Sequence, residues 1–117
     1  MAHYEDLVID KGSDVYLEIH LGNMDNSRKN LAGYSVSGKM ALTYDASDSD
    51  KISFVSAVLS PANMGIINLS LDNTVTNTLN TKRRYVYDVE ISHVDSASNT
   101  IIERVLEGLI TVSPSVT

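Results

Sequence analysis

The stretch YVYDVEI, residues 85–91, decides the fold because its side chains alternate between two faces without a break. A two-residue period is typical of a β-strand with one buried face and one solvated face. The stretch is also rich in β-branched and aromatic residues, which favour a half-buried pleated surface. We therefore predict that it is the central strand of an antiparallel sheet. Its buried face is expected to carry Tyr85, Tyr87, Val89 and Ile91.

Six further strands are predicted, over residues 7–9, 15–21, 35–44, 52–59, 66–71 and 100–112; the first is a short apolar run, and the others show apolar residues at alternate positions. Turn residues separate these segments. Acidic residues flank the first segment, which suits an edge strand because charge discourages edge-to-edge pairing. The period then changes, because Leu71, Val75 and Leu79 are four positions apart. Asp72 stands at the start of this segment. This spacing predicts one or two helical turns with Asp72 as the N-cap.

Two glycines and two tyrosines bear on how these strands pack. Gly38 falls on the inward face of its strand and leaves room for a large neighbour such as a tyrosine. In residues 100–112 apolar side chains fall on both faces. Either both faces are covered, or a bulge at Gly108 switches the phase. Tyr85 and Tyr87 either form a tyrosine corner, with a hydroxyl bonded to nearby backbone, or pack plainly in the core.

About seven short strands and one helical turn predict an all-β fold, a Greek-key antiparallel β-sandwich in a single domain over residues 1–117. An up-and-down barrel is the alternative. Long polar loops at residues 22–30, 45–51 and 93–99 favour the sandwich, because they suit Greek-key crossovers better.

Composition excludes several classes of function. The chain has 117 residues, no cysteine and a formal net charge of −6. Without cysteine, disulfides and thiolate sites are excluded. The negative charge argues against binding nucleic acid, whose phosphates would repel the chain. No apolar run approaches the ~20 residues of a membrane span, and the N-terminal residues MAHYED predict no signal peptide.

Titratable side chains form no recognisable catalytic or metal motif. The three histidines, His3, His20 and His93, lack metal-ligand spacing. The aspartates in residues 45–50 lack the glycine and the final glutamate of a calcium loop, so we expect a solvated acidic loop. Asp88 and Glu90 lie on a wet strand face and are expected to form cross-strand ion pairs with Arg104 or Lys39. We therefore predict no enzyme activity, no metal and no cofactor.

Four segments together resemble a known family. They are DLVIDKGSD (residues 6–14), LAGYSVSGK (31–39), RYVYDVEI (84–91) and RVLEGLITVSPSVT (104–117). This pattern resembles small immunoglobulin-like virion structural proteins of tailed bacteriophages, especially phages of cyanobacteria. The likeness covers nearly the whole chain, and the ending SPSVT is its most specific part. The chain departs from the family at residues 80–83, where a Pro-Gly or similar tight turn is usual.

The resemblance implies an immunoglobulin-like sandwich that serves as a non-enzymatic decoration subunit on the capsid. The implied partners are other virion proteins, capsid or tail subunits, and copies of the chain itself. The implied location is the virion, after synthesis in the host bacterial cytoplasm. A tail, neck or baseplate module is one alternative. A carbohydrate-binding module for host adsorption is another, with Tyr4, Tyr16 and Tyr44 as candidate platforms.

The predicted partner contacts lie at the two termini and at one basic segment. The basic segment is a compact positive spot in an acidic chain, and it suits either docking onto an acidic patch or a solvated strand entry. The predicted contact residues are Met1, Ala2, His3, Tyr4, Lys82, Arg83, Arg84, Ser115, Val116 and Thr117.

Overall fold

A computed structural model describes residues 3–23, 25 and 27–116. In those residues the chain forms nine strands, one α-helix and two 3-10 turns. The strands are β1 (His3–Tyr4), β2 (Leu7–Asp10), β3 (Val15–His20), β4 (Ser35–Ala41), β5 (Ile52–Ser53), β6 (Val55–Val58), β7 (Ile66–Leu71), β8 (Tyr85–Val94) and β9 (Thr100–Ser113). The helix is α1 (Asn73–Thr76), and the 3-10 turns are Asp48–Asp50 and Ala62–Met64.

The strands form two sheets that pack face to face around one core. The larger sheet has the order β1-β9-β8-β4-β5, with β2 also paired to β9, and the smaller sheet has the order β3-β7-β6. The predicted central strand is confirmed, because β8 lies in the middle of the larger sheet between β9 and β4. Its four inward side chains are at most 6% exposed. The predicted all-β sandwich is therefore confirmed.

The N-terminal edge of the larger sheet differs from the prediction. The strand expected at residues 7–9 is present as β2, but β1 and β2 both run parallel to β9. A fully antiparallel body is therefore wrong at this edge. A short hairpin forces antiparallel pairing, whereas the turn after β2 leads into β3 of the other sheet, so β2 is free to run alongside β9.

The single strand predicted at residues 52–59 is divided between the two sheets. β5 pairs with β4 in the larger sheet, and β6 pairs with β7 in the smaller one. Phe54 lies at the crossing, is buried, and donates its backbone N–H to Gly38 O at 2.9 Å. The space beside Gly38 is filled by Phe54 and Leu69, so the predicted large neighbour is confirmed, but it is a phenylalanine and not a tyrosine.

The phase change of the last strand comes from a bulge at Val105. Val89 pairs with Leu106, but the next residue of β8, Glu90, pairs with Arg104, so Val105 is the extra residue. A bulge at Gly108 is therefore wrong. Without the extra residue, Arg104 would share the inward face with Leu106; with it, Arg104 faces solvent.

Gly108 instead allows the backbone of Glu5 to approach the backbone of β9 closely. A Cβ at this position would collide with the carbonyl group of Glu5 and lie 3.2 Å from the Tyr87 ring. The Tyr87 hydroxyl donates to Glu5 O at 2.6 Å. The Tyr85 hydroxyl accepts the backbone N–H of Asn80 at 2.8 Å, which confirms the tyrosine-corner interpretation at that residue.

The predicted helical turn is confirmed and closes one end of the core. Asp72 caps α1, its Oδ1 accepting the Val75 N–H at 3.0 Å. Thr76 is buried, and its hydroxyl donates to Ser13 O at 2.8 Å. Leu79 follows at 1% exposure. None of the described helices has the length and apolar character of a membrane span.

Candidate interaction surface

The predicted N-terminal contacts lie on the outer edge of the larger sheet. His3 and Tyr4 form β1, opposite Leu106 and Glu107 of β9, and both are exposed. Met1, Ala2 and Thr117 lie outside the described residues.

The basic segment lies just before β8 and is exposed. Lys82 is fixed by its backbone N–H, which donates to Asn80 Oδ1 at 2.8 Å. In the described part of the chain, no ion pair occupies the side chains of Lys82, Arg83 or Arg84. Their charge is therefore available to a partner.

Electrostatics link the basic segment to β1. The pKa of Tyr4 is raised, first by desolvation of its hydroxyl and then by the hydrogen bond and charge of Asp6. The charge of Arg84 acts in the opposite direction, and Tyr44 also contributes. Strand pairing agrees, because Tyr4 pairs with Glu107 on one side of β9, and Tyr85, the residue after Arg84, pairs with Ile110 on the other side.

The third predicted group, the C-terminal tail, follows β9. Ser115 lines a polar hollow with Lys11 and the start of α1. Val116 is fully exposed. β1 pairs with β9 at Leu106 and Glu107, whereas the tail begins only after Ser113, so the tail lies beyond β1 along β9.

The strongest exposed apolar feature was missed by sequence reasoning. It lies at the far end of the β8–β9 hairpin, where Val94 is 65%, Ile102 63% and Ile101 42% exposed. Val94 and Ile102 are diagonal neighbours on the outer face, because Ile102 pairs with Ser92 and Thr100 pairs with Val94. The signal that could have found it is the run of apolar residues on both faces of residues 100–112.

The hairpin extends past the rest of the larger sheet. The hairpin loop predicted at residues 93–99 is shorter than expected, since β8 continues to Val94. Pairing of β4 with β8 stops at Ser35, and pairing of β1 with β9 starts at Leu106. Within the described residues, the outer edge of β9 from Thr100 to Val105 consequently has no strand beside it. We call residues 100–105 the open edge.

The outer face of the larger sheet is charged, as predicted. Arg104 Nε lies 3.6 Å from Asp88 Oδ2, and its Nη1 lies 3.1 Å from Glu107 Oε2. The hydrogen bond that Arg104 donates to Glu107, followed by the charge of Asp88, raises the pKa of Arg104. The predicted cross-strand pair of Asp88 with Arg104 is confirmed, and the pair is exposed to solvent.

A shallow groove of about 300 Å³ runs along this face. Tyr44, which is 78% exposed, lines it together with Lys39, Lys51, Asp88 and Glu90. The arrangement offers one aromatic face and charged groups of both signs. It can hold a polar ligand at a shallow depth.

The histidines lie in different places. His20 is 3.7 Å from Glu18 on β3, and the His93 ring packs at a tilt of 39° against Tyr34 with ring centroids 4.5 Å apart. Over residues 3–23, 25 and 27–116, no three His, Asp or Glu side chains are arranged to hold a metal ion.

Comparisons with known proteins bear on the fold alone. No protein-family profile matches the chain. No curated protein matches it at a significant level. Among solved structures, murine CRIg is similar with a TM-score of 0.52 and 15% sequence identity, over 93% of this chain and 92% of that one. CRIg is an immunoglobulin-like domain, so the chain has an immunoglobulin-like β-sandwich fold.

Proposed function

We propose that this chain is a non-enzymatic virion structural protein of a tailed bacteriophage, an immunoglobulin-like accessory subunit that docks on the capsid. The proposal starts from the resemblance of four sequence segments to such proteins. The observation that carries it is the apolar end of the β8–β9 hairpin, where Val94 and Ile102 are exposed as neighbours on the outer face, and Ile101 is exposed on the other face, beside an open strand edge. Grouped apolar side chains on a solvated surface are typical of a site that another protein covers.

Charge supports the same proposal at a second surface. The chain carries −6 overall, yet Lys82, Arg83 and Arg84 are exposed together with no intramolecular ion pair among the described residues. An acidic patch on a capsid subunit would complement this segment. Such complementarity sets orientation and association rate more than affinity.

Purified particles of a phage that encodes the chain provide the test. We expect the chain in the particle's protein inventory at a fixed, multiple copy number, and we expect antibody label on the capsid by negative-stain microscopy. Label confined to the tail, neck or baseplate would replace the capsid role with the alternative one. Absence from washed particles would contradict both.

A matched pair of variants tests the basic surface. Reversing the charge of Lys82 and Arg83 to Glu is expected to reduce incorporation into particles. The control reverses Arg28 and Lys29, an adjacent basic pair in the loop after β3 that takes part in no ion pair among the described residues. Equal incorporation of both variants would remove the basic segment from the docking surface.

The groove beside Tyr44 favours a second candidate function, carbohydrate binding for host adsorption. Sugars stack on exposed aromatic rings, and Tyr44 lies at a groove that also offers Lys39 and Asp88. Tyr16 lies on the other sheet, and its hydroxyl donates to Glu18 at 3.3 Å. On a glycan array, Tyr44→Ala should abolish any selective binding and Tyr16→Ala should retain it. An array without selective binding rejects this candidate.

A further inference from the structure

The open edge presents backbone groups in a fixed order. Asn99 O accepts from Asp95 N on the β8 side, whereas Glu107 O accepts from Glu5 N on the opposite side. Backbone direction alternates along a strand and changes phase at a bulge. The N–H and C=O groups of Thr100, Ile102 and Arg104 therefore point away from β8, toward the open side.

Two other sheet edges in the described part of the chain, at β6 and β3, are covered or guarded. β6 lies against β4, and Ser56 Oγ donates to Val36 O at 3.1 Å. β3 turns Glu18 and His20 outward, and polar side chains discourage pairing. The open edge instead displays Ile101 and Ile102. No described strand covers it, so its outward backbone groups are available for strand addition.

We infer that two copies of this chain pair antiparallel along the open edge, about a two-fold axis at Ile102. This inference rests on the proposed function, which places many copies in one particle. In this register Ile102 lies opposite Ile102 of the second copy. Thr100 lies opposite Arg104 of the second copy, so all three edge-facing residues form their backbone hydrogen bonds.

The length of the open edge favours a second copy over another strand. A strand that ran on past Val105 would meet β1, because His3 already occupies the position beside Leu106. The partner must therefore end there. The hairpin of a second copy ends at this point. Its Thr100 would lie opposite Arg104, and its chain turns back there because the hairpin turn at residues 95–99 adjoins Thr100.

Charge and apolar contact are compatible with this pairing. Arg104 approaches the second copy with its charge already balanced by Asp88 and Glu107. On the same face, Ile102 and Val94 of each copy form one apolar strip across the axis. The contact is much smaller than the roughly 1,200–2,000 Å² of stable interfaces, so we expect a dissociation constant on the order of 0.1–1 mM.

Sedimentation equilibrium of the purified chain tests the pairing. Between about 10 μM and about 1 mM, the weight-average mass should rise from 12.8 kDa toward twice that value. Ile102→Lys places two like charges at the axis and should abolish the rise. Val8→Lys is the matched control, because Val8 is 73% exposed on β2 of the same sheet, and it should dimerise like the parent chain.

A cross-linking experiment covers the case in which Ile102→Lys fails to fold. The chain contains no cysteine, so a single introduced thiol reports one contact. Under mild oxidation Ile102→Cys should form a disulfide dimer in high yield, since opposed residues at ~5.5 Å allow the bond. Val8→Cys should not.

The outcomes separate the two proposals. A parent chain that stays monomeric at about 1 mM, or equal cross-linking of the two cysteine variants, overturns the self-pairing. If that monomer is still found on capsids, the proposed function stands and a capsid protein becomes the occupant of the open edge. A dimer that is absent from particles supports the self-pairing and overturns the proposed function.

Discussion

At the scale of single residues, Gly108 and Tyr87 hold the N-terminal segment against β9. The missing side chain of Gly108 lets the Glu5 backbone approach, and the Tyr87 hydroxyl bonds the Glu5 carbonyl at 2.6 Å. Glu5 N also donates to Glu107 O at 2.8 Å. All of these contacts involve Glu5, which lies between β1 and β2 and is not part of either strand.

We expect Gly108→Ala to destabilise the fold by roughly 1–3 kcal/mol, because the new methyl group would overlap Glu5 backbone that cannot rotate away. Denaturant unfolding measures the loss, and hydrogen exchange at Glu5 N locates it. Gly22→Ala is the control, since a Cβ there would lie 3.4 Å from Ser27 O, an ordinary contact. Equal effects of the two changes would contradict the close approach.

Tyr87 should make stability depend on alkaline pH. Burial, followed by the charges of Glu5 and Asp6, raises the pKa of this phenol above its ordinary value. The unfolded chain ionises the phenol above about pH 10, whereas the folded chain resists. The stabilisation is complete below about pH 10 and is lost as the pH rises toward the raised pKa.

Tyr87→Phe should therefore flatten the fall in unfolding free energy between about pH 10 and 12, although it costs about 1 kcal/mol at neutral pH through the lost hydrogen bond. Tyr16→Phe serves as the control because Tyr16 is 59% exposed. A parallel decline in parent and Tyr87→Phe chains would show that other groups cause the pH dependence.

At the scale of elements, the crossing at Phe54 joins the two sheets through the chain itself. β5 ends one residue before Phe54 and β6 begins one residue after it. The buried ring packs against the open face of Gly38 and is part of the common core.

Phe54→Ala should cost roughly 3–5 kcal/mol, because it leaves a cavity where the two sheets meet. Its neighbour Val55 is 71% exposed, so Val55→Ala should change stability by less than about 0.5 kcal/mol. Thermal or denaturant unfolding of the two single variants measures the difference. Similar losses for both would contradict the burial of Phe54 at the crossing.

Elements with one apolar face were predictable from sequence. β3, β7 and β8 follow the two-residue period, and α1 follows its N-cap and four-residue spacing. β9 was not fully predictable, because both of its phases carry apolar residues and nothing local marks Val105 as the bulge. The division at Phe54 was also hidden, since alternation reports which side chains are buried and not which sheet buries them.

At the scale of the whole molecule, the projecting hairpin makes the sandwich long. The radius of gyration is 15.2 Å and the extents are 49 × 27 × 23 Å, whereas a compact chain of this length has about 13 Å. β8 therefore has two environments. Its first part is covered by the smaller sheet, and its last residues reach beyond Ser35, where pairing with β4 stops.

Native-state hydrogen exchange should reveal this gradient. Amides at Val89 and Ile91, which are fully buried, are expected to exchange by global unfolding. Amides at Val94 and Ile101 should exchange far faster through local opening, because their side chains are largely solvated. Uniform protection along β8 in dilute protein would contradict a weakly held hairpin end.

The candidate surface was only partly accessible from the sequence. Local composition identified the basic segment at Lys82–Arg84 and the exposed β1. Tyr4 and Arg84 lie on the same sheet only because of the strand order, and local patterns in a single sequence do not reveal that order. The apolar hairpin end was hidden for the same reason, because exposure at Ile102 follows from where β4 stops and β1 starts.

The parallel run of β1 and β2 along β9 has a mechanical consequence. Force applied between His3 and Ser113 would pull along the strands and not across them, so the backbone bonds of this ladder would be strained together instead of breaking one after another. A body loaded in this direction resists tension well, whereas the same body pulled sideways at its N-terminal edge would peel open bond by bond.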